Sequence, residues 1–253
     1  MASFISVVII TYNEEKNIGR CIDSIQSIAD EIIVLDSGST DQTISMAKEK
    51  GAIVHHQPFL GYVEQKNKAL TLANHEFVLS LDADEAIDEK LAHTILHLKN
   101  NQLQGAYSMN RCTSYCGKFI RHGLWYPDKK IRLFNKNIAI WQGDNPHDKI
   151  MLANNKKPQH LPGDILHFSY NNMEEHITQN NRFSSIAATA LFQKGKRTNI
   201  IKLLFNPFWA FINGYFFRLG FLDGFYGWVI AINTSQYTFL KHSKLYQLQK
   251  NSK

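Results

Sequence analysis

The chain has 253 residues, of which 44% are hydrophobic and 20% charged, and a formal net charge of +6; this suits one α/β domain of ordinary size with an elaboration. Its three cysteines, Cys21, Cys112 and Cys116, are odd in number and exclude a disulfide framework, and Cys112 and Cys116 lack the second ligand pair of a zinc finger. The start Met-Ala-Ser-Phe runs straight into apolar residues, without the basic start and cleavage site of a secretory signal, so a reducing, cytoplasmic location is expected. Charge is uneven: from Arg182 onward ten Lys or Arg stand against one acid, Asp223, and the basic balance is a property of the tail.

In chain order, residues 5 to 11 are a short β-branched run of the kind buried on both faces of a parallel sheet. Ile18, Cys21, Ile22, Ile25 and Ile28 recur at helical spacing. A second strand, 31 to 35, ends at Asp36-Ser-Gly-Ser-Thr-Asp41, and Ile44, Ala47 and Gly51 outline a second helix. A weaker strand at 52 to 56, a helix over about 62 to 73 and a strong strand at 76 to 81 continue the alternation, which predicts an α/β fold with an open, mostly parallel sheet and helices on both faces. Beyond Gly105 the pattern gives way to strands and loops, residues 173 to 197 read as a basic helix, and residues 200 to 240 are rich in Phe, Trp, Tyr and Ile. No internal repeat or low-complexity linker interrupts the chain.

In such sheets ligands bind beyond the carboxyl ends of the strands. The polar residues gather there: Thr11 to Glu14, Asp36 to Asp41 and Asp82 to Glu85. Asp82-Ala83-Asp84 offers hard oxygen donors suited to Mg²⁺ or Mn²⁺, ions that complete their shells with water and substrate phosphates. Taken singly, these acids are better read as caps of the following helix, and it is their convergence with the other two clusters that favours a metal site. Asp36 is placed either to accept hydrogen bonds from a nucleoside or to close its own turn.

Val7 to Glu14, Leu35 to Asp41 and Leu79 to Glu85, in that order and spacing, resemble the inverting family 2 glycosyltransferases. The resemblance implies a GT-A fold, a nucleotide-sugar donor, often a uridine one, and a divalent cation. It places the donor site at Thr11, Tyr12, Asn13, Glu14, Asp36, Asp82 and Ala83, and the metal on Asp84, with Asp82 acting through water. Lys66 and Arg132 are candidate phosphate partners.

A narrower likeness lies in Gln65-Lys66-Asn67, Trp125 to Asp128, Arg132 to Phe134, His147-Asp148, His167 to Tyr170 and Gly220 to Gly224, which resemble bacterial transferases that extend the lipopolysaccharide inner core. That likeness implies UDP-glucose as donor, a heptose acceptor and a β-1,4 linkage. Where this chain has His147-Asp148, the usual pattern has His-Glu, so the carboxylate here is one methylene shorter.

Inverting transfer needs a base for the acceptor hydroxyl and charge relief for the leaving diphosphate. Asp148 is the candidate base, with Asp144 the alternative. His167 is a candidate metal ligand, and Trp125, Tyr126, Trp141 and His147 are candidates for holding the acceptor.

These readings divide the chain into a catalytic domain over 1–172, with a donor half at about 3–104 and an acceptor half at about 105–172, and a helical, basic, membrane-associating region over 173–253. Fifteen uncharged residues separate Lys202 from Arg218 and seventeen separate Asp223 from Lys241, at or below the length of a spanning helix. Amphipathic helices on an anionic membrane, serving a lipid-linked saccharide acceptor, are therefore expected, and the protein is expected to be peripheral on the cytoplasmic face. Cationic residues interleaved with apolar surface disfavour nucleic acid as a partner. A sugar nucleotidyltransferase is a rival reading, but the loop after the first strand has no glycine before Gly19.

Overall fold

The run Ile5–Thr11 forms β1, the central parallel strand in a computed structural model that describes residues 3–143, 148–153 and 157–252. It pairs in parallel with β2 (Glu31–Asp36) on one side and β4 (Phe77–Asp82) on the other, and β3 (Ile53–His56) extends β2. Beyond β4, β8 (Asp128–Asn135) runs antiparallel to β4 and to β6 (Ala106–Tyr115), β11 (Gln159–Tyr170) lies next to β6, and β5 (Glu85–Ile87) pairs antiparallel with β11, while β7 (Lys118–Phe119) pairs off β6. A separate ribbon joins β9 (Ala139–Gln142) to β10 (Lys149–Leu152).

Alternation along β1 explains why its sequence is apolar throughout. Ile5, Val7 and Ile9 pack on one face with Ile18, Ile22 and Ile25 of α1 (Ile18–Ile25) and with Leu91 and Ile95 of α4 (Glu89–Asn100). Val8 points the other way, into a cluster with Ala69 and Leu70 of α3 (Tyr62–Leu72) and Phe134 of β8. Helices on both faces leave no solvent side, so the strand lacks a polar period. The remaining helix of this part is α2 (Thr43–Glu49).

The chain divides into two compact units. One runs to Arg111 and resumes at Asp128–Phe168; the other holds Cys112–Pro127 and the chain from Ser169 onward. The sequence places the boundary near residue 172, whereas residues 112 to 127 group with the C-terminal helices. Two packings hold them there. Asp223 accepts hydrogen bonds from the backbone N–H of Arg121 at 3.1 Å and of His122 at 2.8 Å, and Tyr115 and Trp125 stack into a ring cluster with Tyr170, His176 and Tyr226. Three helices complete this unit: α5 (Met173–Gln193), α6 (Ile200–Ile212) and α7 (Gly224–Asn251), with α7 packed on both others.

In the first unit β11 passes so close to α4 that a Cβ on Gly163 would lie 2.5 Å from the Leu91 nitrogen, and Gly163 has φ of +106°. Gly163→Ala is therefore expected to destabilise this unit by about 2–4 kcal/mol, from overpacking added to left-handed strain. Gly51→Ala, with φ of +83° and nothing near its Cβ, should cost only about 1–2 kcal/mol. Urea unfolding of the two variants measures the difference.

In the second unit His176 is buried beside the Tyr115 hydroxyl at 3.1 Å, and burial pushes its pKa down to about 4. An unfolded histidine takes its proton near pH 6.5. The neutral ring thus contributes stability that is complete above about pH 6.5 and lost as pH falls toward 4. Thermal unfolding followed between pH 7.5 and 4.5 should show this unit losing stability, and His176→Gln should flatten that slope.

Candidate active site

Two loops at the strand ends are sewn together by their own polar side chains. Asn13 sits at φ of +52°, a conformation asparagine tolerates better than most residues. Its backbone N–H donates to Ser39 Oγ at 2.8 Å, and its side-chain oxygen accepts from the Thr40 N–H at 2.8 Å. The Glu14 N–H donates to Thr43 Oγ1 at 2.8 Å, and the Glu15 N–H donates to Asp41 at 3.2 Å. Asp36, fully buried, closes its own turn by accepting from the Gly38 N–H at 2.8 Å and from the N–H and hydroxyl of Ser39. The turn-closing role open to Asp36 in the sequence is thus met.

The Asp82-Ala83-Asp84 segment does not cap a helix. α4 begins seven residues after Asp82, and Asp88 is its cap, accepting from the Leu91 N–H at 2.7 Å. Chain reversal at Ala83 instead leads into β5, which pairs antiparallel with β11 so that Glu85 lies opposite His167. The Phe168 N–H donates to the Asp84 carbonyl at 2.9 Å. This register sets His167 Nε2 3.1 Å from Asp84 Oδ2. Both side chains line a cleft of about 550 Å³ together with Thr11, Tyr12, Glu14, Phe59, Tyr62, Asp82 and Ala83. Thr11 Oγ1 is buried there without a hydrogen-bond partner among the described residues. Burial, with Asp84 adding to it, raises the Glu14 carboxyl above its ordinary value.

Asp82 faces a different set of neighbours. Three successive residues of α3 project in three directions, as helical geometry requires. Gln65, fully buried, donates to Ser37 Oγ at 2.8 Å; Lys66 reaches Asp82 at 3.1 Å and Asp148 at 2.8 Å; Asn67 exchanges two hydrogen bonds with the backbone of Trp141. From β8, Arg132 meets Glu85 at 2.8 Å and Asp82 at 3.2 Å. Trp141 lies against both cations, its ring centre 4.5 Å from Lys66 Nζ and 5.4 Å from Arg132 Cζ, a cation–π arrangement. Burial opposes ionisation of Asp82, but Lys66 and Arg132 outweigh it and hold the carboxyl well below the usual carboxylate range. Burial opposes the charge on Arg132 as well, and Glu85 with Asp82 overcomes it.

The structure thus gathers Thr11, Tyr12, Glu14, Asp82, Ala83, Asp84 and His167 around one cleft, and joins Lys66, Arg132, Trp141 and Asp148 to it through Asp82. Asn13 and Asp36 brace the loops behind it. Trp125 and Tyr126 belong to the second unit, where Trp125 sits in the ring cluster. Asp144 and His147 lie outside the described residues. Sequence reasoning gives no role in the site to Phe59 or Tyr62, exposed aromatics at the cleft, nor to Arg111, which reaches Asp128 at 2.9 Å and Glu85 at 3.9 Å. Their signal is weak because no motif surrounds them.

The sequence profile described as glycosyl transferase family 2 matches residues 6–174. The chain belongs to that family. It is an enzyme of the hexosyltransferase kind, and its mostly parallel sheet with flanking helices is a GT-A fold. An uncharacterised glycosyltransferase of Rickettsia typhi is 34% identical to this transferase, over 98% of this chain and 89% of its own. The lipopolysaccharide core biosynthesis glycosyltransferase LpsC of Rhizobium meliloti is 29% identical, over 96% and 92% respectively. Among solved structures, glucosyl-3-phosphoglycerate synthase from Mycobacterium tuberculosis in complex with Mn²⁺ and UDP-glucose is 28% identical over 44% of each chain, with a TM-score of 0.37.

Removing Arg132 strands Glu85, whose side chain is fully buried, and unbalances Asp82. Arg132→Met is expected to destabilise the first unit by about 3–5 kcal/mol. Equilibrium denaturation of this variant and of Arg111→Met, whose partly exposed pair should contribute about 1 kcal/mol or less, tests the ranking.

Proposed function

We propose that the chain transfers a hexose, glucose from UDP-glucose, to a lipopolysaccharide-core-type saccharide such as a heptose, with inversion and with the help of a divalent cation. One observation carries the cation: the cleft is lined by the carboxylates of Glu14 and Asp84, beside Asp82 whose charge Lys66 and Arg132 already balance, and its lining among the described residues has no Lys or Arg. A diphosphate entering it meets like charge unless a cation intervenes. Asp84 and His167 suit that ion, since their facing donor atoms are 3.1 Å apart, close to the roughly 3 Å between neighbouring ligands on an octahedral ion with bonds of about 2.1 Å. When bound, the cation relieves the charge developing on the leaving diphosphate.

The chain's own residues supply the rest. Thr11 and Tyr12 at the end of β1 and the aromatic pair Phe59 and Tyr62 bound the space for the nucleoside. Lys66, by pairing with both Asp82 and Asp148, fixes the orientation of Asp148, the proposed base that takes the acceptor hydroxyl proton. The likeness to the lipopolysaccharide core transferase LpsC along nearly the whole chain supports a core-type acceptor.

The test incubates purified protein with a panel of nucleotide sugars, with Mn²⁺, Mg²⁺ or chelator, and follows diphosphate release and mass gain in truncated lipopolysaccharide acceptors. Release from UDP-glucose that needs the cation is expected, and no release from any donor would sink the proposal. Asp84→Asn should lower kcat by on the order of 100-fold or more and weaken cation-dependent donor binding. Asp148→Asn should bind donor normally and lose about 100- to 10,000-fold in transfer, the usual contribution of a general base.

A further inference from the structure

We infer that the outer face of α6 and the turn that follows it form an in-plane docking surface for an anionic lipid bilayer. The orientation of α6 is the starting point. Ile201, Leu204, Phe205 and Phe208, at helical spacing, are 74%, 65%, 56% and 61% exposed. The opposite side of the helix is latched by polar contacts to α7: Asn206 Nδ2 lies 2.9 Å from His242 Nε2, and Ser235 donates to the Pro207 carbonyl at 2.9 Å. The apolar stripe that a soluble helix turns inward is here turned outward.

The face continues past the helix. Trp209 connects Phe205 to Phe217 by ring contacts, and Tyr215 connects Phe211, Phe221 and Trp228. Five phenylalanines between residues 205 and 225 are each more than half exposed, which amounts to on the order of 500 Å² from these rings alone. Exposed apolar patches of that size mark contact with protein or membrane.

Charge decides which. Exposed Lys194, Lys196, Arg197 and Lys202 stand at one end of α6 and Arg218 follows its other end. The single acid after Arg182, Asp223, is buried with its carboxylate on the backbone N–H groups of Arg121 and His122. The surface therefore presents cations and hydrocarbon with no anion from its own segment. In a two-fold contact with a second copy the patch would meet itself, cation against cation; an anionic leaflet supplies the missing charge.

Geometry decides how. The stretch Ile200–Phe217 is long and apolar enough by composition to cross a membrane, but α6 with the π-helical turn Asn213–Phe217 that continues it reaches at most roughly 27 Å, short of the roughly 30 Å of a hydrocarbon core. Close backbone packing then folds the turn onto α7: a Cβ on Gly227 would lie 1.9 Å from the Gly220 carbonyl oxygen. The segment lies along its own unit and offers a side, not an end, to the bilayer.

Trp209 and Trp228 are exposed while Trp141 is buried and Trp125 is packed among rings, so intrinsic fluorescence reports on the face. The full chain is mixed with vesicles of phosphatidylcholine alone or with about a third phosphatidylglycerol, carrying acyl chains brominated near the headgroup or near the methyl end. Binding at least about tenfold tighter to the anionic vesicles is expected, with quenching strongest for bromine near the headgroup and abolished in Trp209→Phe/Trp228→Phe. Leu204→Ser/Phe208→Ser should weaken binding by on the order of 100-fold with unchanged thermal unfolding. Absence of vesicle binding, or a concentration-dependent dimer that the double serine variant dissociates, would overturn the inference in favour of a subunit interface. Strongest quenching at the methyl end would overturn the in-plane geometry.

Discussion

Arg132 is buried between two carboxylates, the fully buried Glu85 at 2.8 Å and the partly exposed Asp82 at 3.2 Å. Taking such charges out of water costs several kcal/mol each, and their attraction offsets this only when geometry and hydrogen bonding are good. Lys66 adds a second cation to Asp82, and Trp141 gives both cations a polarisable wall. Through this cluster β8, α3, β9 and the β4–β5 turn hold one another at fixed positions. The carboxylate-bearing turn is therefore placed by ion pairs formed inside the first unit, before any substrate arrives.

A division of labour between two neighbouring aspartates follows. Asp82 is held by its cations, so it serves as a strut whose free capacity is small. Asp84, two residues on, points into the cleft, where its near partner is His167, brought there by the pairing of β5 with β11. In an unbroken strand residues two apart share a face; the turn at Ala83 and Asp84 breaks that pattern, so one short segment ties Asp82 into an ion cluster and presents Asp84 with His167 as an open pair of donors. Lys66 and Arg132 are thereby committed to Asp82 and do not line the cleft, where Asp84 and Glu14 remain as its free carboxylates.

Much of the first unit is legible in sequence because burial on both sheet faces forces β-branched runs: β1, β2 and β4, with α1 to α3 between them, fall within a few residues of where the pattern puts them. What escapes has a common cause. β5 is three residues long and exists through its pairing with β11, about eighty residues away, and no local period announces it. Lys66 and Arg132 show in the sequence as cations suited to phosphate, but a sequence cannot say that carboxylates already occupy them. Residues 112 to 127 read as part of the acceptor half, since nothing local reveals that Asp223, a hundred residues on, accepts from their backbone.

Helices α1 and α6 put the same spacing to opposite ends. In α1, Ile18, Cys21, Ile22 and Ile25 are all buried beneath a sheet. In α6, Ile201, Leu204, Phe205 and Phe208 repeat that spacing and are all exposed. Periodicity identifies an apolar face but not the medium that face meets. The polar positions carry that information: the outer side of α1 bears Arg20 and Asp23, charges that water solvates, whereas α6 has one charge, Lys202 in its first turn, and uses Asn206 on its inner side to hold His242. A helix that spends its amide side chain on an internal contact and leaves hydrocarbon outside gains little from water on that side. The absence of solvating groups on the exposed face, more than the apolar residues themselves, is what fits it to hydrocarbon.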